Sequence, residues 1–439
     1  MRFLPLRALL AAAVLCGTVV VGAPAAQSQD IEFGPGLRSV DFADVFDSSV
    51  KARARMWHAF YRAGIRTIVV SQGLISPYAP DHSRRPSRTY LSDGQLKDLR
   101  DTLNRGPSTK DDFHLTYVAG YGLGAKACRQ GSTPSEIATA AAEWEFENIV
   151  SRVLDSGVPI RAIDVDGPFL RVMEGSRKAF SCALSPATKG VSSAASARIA
   201  LSYMKRLRDL TDAHVTNSSA GVKVEMALLI NLPNWRVGGY PALRTAGATG
   251  DLVTDVLAEF GKAMRADKTR PLHLSGAVID YPYPLARSRP AAFKAKSERL
   301  LAGLRALPRT TAKLTFIANT HYALDPYETE KNARGYAGTV RCVWSDYRDI
   351  SEGSLPYLPY ENARGTKMPA DCMAAQNAAD ERYWDESARF ADEIMSGAWL
   401  GNSVDLKDVS AVRFMSWHEM PASSLSTMNR TLRYKLYGN

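Results

Sequence analysis

The chain has 439 residues, 45% hydrophobic and 23% charged, a balance that excludes a disordered chain and a multi-span membrane protein. Its formal charge of +10 is basic without being extreme, and no Lys/Arg block resembles a nucleic-acid-binding arm.

Residues 1–25 read as an export signal, with Arg2 and Arg7 at the start, an apolar run from Leu9 to Val21, and Ala23-Pro-Ala25 as the cleavage region. The apolar run is too short for a permanent membrane anchor, so the mature chain is expected to be secreted or periplasmic. Four cysteines then remain: Cys128, Cys182, Cys342 and Cys372. An even count in an exported chain predicts two disulfides. Proximity favours 128–182 and 342–372, with three connectivities open.

After a Gly34-Pro-Gly36 turn, Leu37–Phe42 is expected as the first strand, with Asp41 at its end, and a helix follows over 48–63. Ile65–Ser71 is β-branched and reads as the second strand, ending at Gln72. A helix over 91–103 starts at Ser92 as cap. Phe113–Ala119 is the third strand and runs into Gly120-Tyr-Gly-Leu-Gly124, which lacks the Lys-Ser/Thr ending of a phosphate loop. Thr133-Pro134 opens a helix that closes at Gly157.

The fourth strand, Ile160–Val165, sets Asp164 and Asp166 on one face and stops at Gly167-Pro168, which places Asp166 at its C-terminal tip. The helix 195–213 leads to the fifth strand, 222–232, whose end carries Asn231 and Trp235. The helix 252–264 precedes the sixth strand, Leu274–Tyr281, ending in Asp280-Tyr-Pro-Tyr283. The helix 290–307 leads to the seventh strand, 313–320, with Asn319 and His321 at its end. A loop excursion over 322–372 comes next, then a helix 380–395, an eighth strand Val412–Trp417 with His418 and Glu419 after it, and a closing helix 425–436.

Eight strands alternating with helices require parallel pairing through crossovers, and the length suits one (β/α)8 TIM barrel over residues 30–439, with a doubly wound open sheet as the rival. In such a barrel the chemistry lies at the strands' carboxyl ends. The residues gathered there are carboxylates, amides and aromatic rings, which suit a sugar's hydroxyls and apolar faces.

The chain resembles secreted TIM-barrel glycoside hydrolases, on Asp164-Val-Asp166, Asp280-Tyr281, Asn319-Thr-His321 and Trp417-His-Glu419. Chitinase-type barrels extend the first of these motifs to Asp-x-Asp-x-Glu; Pro168 stands at that Glu here, so their substrate-assisted mechanism is not carried over. The resemblance implies hydrolysis of an oligo- or polysaccharide by two carboxyl groups, one protonated and one ionised. Asp166 is expected as general acid and Asp280 as its partner, with Glu419 as the alternative member. A separation of about 5 Å would mean retention and about 6.5–9.5 Å inversion. Asn231, Trp235, Tyr281, Tyr283, Asn319, His321 and Trp417 are the expected sugar contacts.

Asp164 reads as a buried strand residue, Glu225 as belonging to the far end of the barrel, and pairing with Arg413 is the plain alternative for Glu419. The seven His residues show no metal-ligand pairing and no Gly-x-Ser-x-Gly elbow appears, so neither a metal, an organic cofactor nor a serine nucleophile is expected. Basic loops such as that of Arg84, Arg85 and Arg88 point toward an acidic glycan partner. The competing function is a non-catalytic barrel that binds exported polysaccharide.

Overall fold

The computed structural model describes residues 29–35, 42–47, 50–78, 84, 90–104, 113–123, 133–169, 172, 192–217, 223–232, 252–320, 370–415 and 424–438. Its strands are β1 Asp30–Phe33, β2 Thr67–Ser71, β3 His114–Ala119, β4 Ile160–Asp166, β5 Glu225–Asn231, β6 Leu274–Asp280, β7 Thr310–Ile317 and β8 Val409–Phe414. They pair in parallel in sequence order, and β8 returns to β1 to close a barrel. The crossover helices are α1 Lys51–Arg62, α2 Asp93–Leu103, α3 Pro134–Glu145, α4 Ser193–Asn217, α5 Leu252–Ala266, α6 Pro290–Ala306, α7 Ala370–Met395 and α8 Ser424–Tyr437. The expected (β/α)8 fold is the observed one.

Local chemistry sets the helix starts. Ser92 and Thr133 each accept a hydrogen bond from the third helical N–H, while Gln95 and Glu136 reach back to the cap N–H. After Glu145 the α3 helix passes through a π-helical turn, Phe146–Val150, before Ser151–Asp155. Outward strand residues such as Phe33, Ile68, Leu115 and Ile163 join Trp57, Phe60, Leu99 and Tyr203 of the helices in the main core.

The first strand departs from expectation. It is Asp30–Phe33, ahead of the Gly34-Pro-Gly36 turn, and Phe42 lies in a turn. Two acids in four residues disguise it, because strand propensity counts Asp and Glu against a strand. One of them, Glu32, faces the barrel interior and meets Arg413 there. β7 and β8 each begin three residues earlier than expected, at Thr310 and Val409, so Trp417-His-Glu419 follows the end of β8.

The barrel interior has three layers. Val69, Val118, Ala227, Leu229, Val278, Ile317 and Met415 form an apolar cluster of their own, separate from the main core. Below it, Arg413 donates from Nε to Glu32 at 2.6 Å and from Nη1 to Asp164 at 2.7 Å. All three side chains are largely buried, so Asp164 is the structural residue expected, and Arg413 is committed to these two acids. Glu225 lies, as expected, at the N-terminal mouth, where a polar cavity of about 520 Å³ opens beneath the Arg413 layer. The third layer, above the apolar cluster, holds the inward residues at the strands' C-terminal ends.

Candidate active site

Because strand side chains alternate, the residue two positions beyond each member of the apolar cluster shares its inward direction. Two beyond Val69 is Ser71; beyond Leu229, Asn231; beyond Val278, Asp280; and beyond Ile317, Asn319. Asp166 pairs in register with Leu229, which puts it on the same side. The C-terminal mouth is therefore a polar ring standing on an apolar floor.

Asp166 reaches the ring because β4 ends sharply. Gly167 adopts φ +57°, a left-handed conformation that favours glycine, and its N–H donates to the Leu229 carbonyl at 3.0 Å. The chain then turns away, leaving Asp166 half-buried at the strand tip.

Asp280 lies two strands away, beyond Asn231 on β5. Asn231 Nδ2 donates to its Oδ2 at 3.1 Å, and Asn319 Nδ2 donates to its Oδ1 at 3.2 Å. Burial raises its pKa from 3.8 to about 6; the Asn319 hydrogen bond opposes the rise, the Asp166 charge adds to it, and the Asn231 hydrogen bond opposes it. The structure brings this pair together electrostatically. The raised pKa makes Asp280 a candidate to hold a proton at mildly acidic pH.

Asn231 and Asn319 thus bind Asp280 first. Asn231 retains one buried atom, Oδ1, with no hydrogen-bond partner, and so do Ser71 Oγ and Gln72 Oε1 at the end of β2. Buried polar atoms of this kind are normally satisfied; Ser71 Oγ and Asn231 Oδ1 both belong to inward-facing side chains of the ring. Sequence reasoning missed Ser71; its signal is a hydroxyl at the last inward position of a β-branched strand.

Tyr281 and Tyr283, expected as sugar contacts, are packed into the protein. Both are only 2% exposed. The Tyr281 ring packs edge-on against Phe293 at 4.7 Å, and the Tyr283 ring stacks on Phe390 at 5.1 Å. Tyr283 ties the end of β6 to its neighbours: its N–H donates to the Asn319 carbonyl at 2.8 Å and its hydroxyl to Glu393 of α7 at 3.0 Å.

Beside the ring, the glycine run after β3 is held by Glu145, a residue sequence reasoning did not single out. This buried carboxylate accepts from Gly120 N–H at 2.9 Å, Gly122 N–H at 2.6 Å, Tyr117 Oη at 2.6 Å and Tyr203 Oη at 2.5 Å. Gly122 must be glycine, since a Cβ there would stand 2.0 Å from the Ala141 carbonyl oxygen. The loop's N–H groups are engaged by a carboxylate of the protein itself.

Asp41, Trp235, His321, Trp417, His418 and Glu419, the cysteines Cys128, Cys182 and Cys342, the signal segment 1–25 and most of the 322–372 excursion lie outside the described residues. Cys372 is described only as backbone within α7. Among the described residues no helix is long and apolar enough to cross a membrane, and no group of three or more His, Cys, Asp or Glu is placed to hold a metal.

No protein-family model matches the chain, and no curated protein matches it. Among solved structures it is similar to a GH5-4 broad-specificity endoglucanase from an uncultured bacterium, with 12% identity and a TM-score of 0.39 over 88% of this chain and 84% of that one. It is also similar to a β-glucosidase from Thermotoga maritima, with 10% identity and a TM-score of 0.30 over 93% and 97%. A riboflavin lyase is similar to the same degree, with 11% identity and a TM-score of 0.34 over 94% and 96%. Likeness at this level concerns the barrel alone, so the chain resembles TIM-barrel glycoside hydrolases in fold and its chemistry is argued from its own residues.

Proposed function

We propose that the protein is an exported glycoside hydrolase in which Asp280 is the general acid and Asp166 its carboxyl partner. One observation carries this reading: a buried carboxyl group, hydrogen-bonded by Asn231 and Asn319 and with its pKa raised to about 6, two strands from a second carboxylate at the C-terminal end of the barrel. In the reaction, Asp280 transfers its proton to the glycosidic oxygen as the bond from that oxygen to the anomeric carbon breaks. Asp166 faces the positive charge that develops on the sugar, as nucleophile or as base for the attacking water. Water supplies the hydroxyl of the new reducing end, and its proton returns to the acid pair. The proposal includes removal of residues 1–25 on export.

The test is reducing-end release from a panel of bacterial and plant polysaccharides by wild type, Asp280→Asn and Asp166→Asn. Turnover by wild type and a fall of about 10²–10⁴-fold in each variant is expected, the scale of acid–base assistance. Binding without wild-type turnover would instead identify a non-catalytic polysaccharide-binding barrel.

A further inference from the structure

The N-terminal mouth of the barrel, at the opposite end from Asp166 and Asp280, holds a cavity of about 520 Å³ that opens to solvent, a volume typical of small-molecule sites. Its inner wall is the Arg413 layer. Arg413 engages one oxygen of each acid, Glu32 Oε2 and Asp164 Oδ2. Glu32 Oε1 and Asp164 Oδ1 make no hydrogen bond among the described residues, and neither is sealed from solvent. Thr116, only 4% exposed, lines the same wall, and its hydroxyl has no hydrogen-bond partner among the described residues either.

Two carboxylates share one guanidinium, so this wall carries one uncompensated negative charge. Its effect shows at Glu32: burial raises the pKa, Arg413 opposes the rise, and the Asp164 charge adds to it. Glu32 Oε1, Asp164 Oδ1 and Thr116 Oγ1 are three acceptors, one for each N–H of a primary ammonium. Nearer the strand starts the balance of charge reverses. Arg161, Lys223 and Lys313 line the cavity there against Glu225 alone. Lys313 Nζ donates to the Lys407 carbonyl and keeps its charge. A simple cation would be repelled by this rim, and a simple anion by the inner wall. A molecule carrying both charges, ammonium inward and carboxylate outward, meets attraction at each end.

We propose that the N-terminal cavity binds a small zwitterion with a primary ammonium and a carboxylate at opposite ends, an ω-amino acid or a dipeptide, its ammonium held by Glu32, Asp164 and Thr116 and its carboxylate by Arg161 and Lys223 at the rim. The site shares no residue with the acid pair, so it stands or falls independently of the hydrolase reading.

The experiment measures binding of 6-aminohexanoate and diglycine, against butylamine and butyrate, by ligand-detected NMR and calorimetry. It uses wild type, Thr116→Val and Lys223→Glu, with urea denaturation of each to show that the variants fold. At least one zwitterion should bind at least about ten-fold more tightly than either the amine or the acid alone. Thr116→Val keeps the β-branched shape and removes one acceptor, so it should weaken that zwitterion about five-fold. Lys223→Glu reverses a charge at the exposed rim; it should weaken the zwitterion about five-fold or more and tighten butylamine. An absence of zwitterion binding overturns the proposal, as does a zwitterion that binds no more tightly than butylamine or butyrate. So does an unchanged zwitterion affinity in either folded variant. Should Thr116→Val fail to fold, Lys223→Glu still decides, because its side chain takes no part in the core.

Discussion

Replacing Asp280 with Asn should make the protein more stable above pH 6 while removing its activity. The gap between 3.8 and about 6 corresponds to about 3 kcal/mol at 1.36 kcal/mol per pH unit. Its sign follows from which state holds the proton. Below about pH 4 Asp280 is protonated in both folded and unfolded chains, so its titration contributes nothing. As pH rises from about 4 to 6 the unfolded chain releases the proton first and stability falls. Above about pH 6 the folded protein carries the full cost of a buried carboxylate. Asn keeps the shape and removes the charge. It offers one acceptor where Asp280 offers two to Asn231 and Asn319, which returns about 1 kcal/mol of the gain. Because that loss is the same at every pH it cancels between the two conditions, and the variant should gain about 2–3 kcal/mol on wild type between pH 4 and pH 8. Urea denaturation followed by tryptophan fluorescence at both pH values reads this directly, and other titrating groups cancel between wild type and variant. A variant whose stability relative to wild type is the same at pH 4 and pH 8 would refute the assignment of Asp280 as a strained, proton-holding group.

Wild-type turnover should decline as pH rises through about 6, where the acid loses its proton, and a rate–pH profile checks this. Asn319→Ala removes a hydrogen bond that favours ionised Asp280, so the alkaline limb of that profile should move to higher pH. Arg413→Met strands Glu32 and Asp164 as buried charges and should cost about 3–5 kcal/mol by urea denaturation; converting Glu32 and Asp164 to Leu as well should recover most of it. Gly122→Ala forces a Cβ onto the Ala141 carbonyl, and a loss of about 1–3 kcal/mol is expected in the same assay.

The fold was legible because its cause is local. Seven apolar runs of strand length, alternating with helical stripes or long loops, leave few arrangements besides parallel strands joined by crossovers. The caps at Ser92 and Thr133 and the break at Gly167-Pro168 were readable for the same reason, since each depends on three or four consecutive residues. From that break alone, Asp166 could be placed at a strand tip. The first strand was not readable, because the acid that makes Asp30–Phe33 look unlike a strand is compensated by Arg413, 381 residues away.

The sequence by itself determined the alternation of strands and helices, and with it the end of the barrel where Asp166, Asn231, Asp280 and Asn319 stand. Only the tertiary structure decided what those groups are to one another. Burial and the Asp166 charge raise the pKa of Asp280, and Asn231 and Asn319 turn toward it. Ser71 is left with an unmet hydroxyl, while Tyr281 and Tyr283 turn away into packing. Periodicity gives the direction of a side chain relative to its own strand. Dielectric environment, charge and hydrogen-bond partners depend on which strands and helices close around it, and those come from positions far apart along the chain.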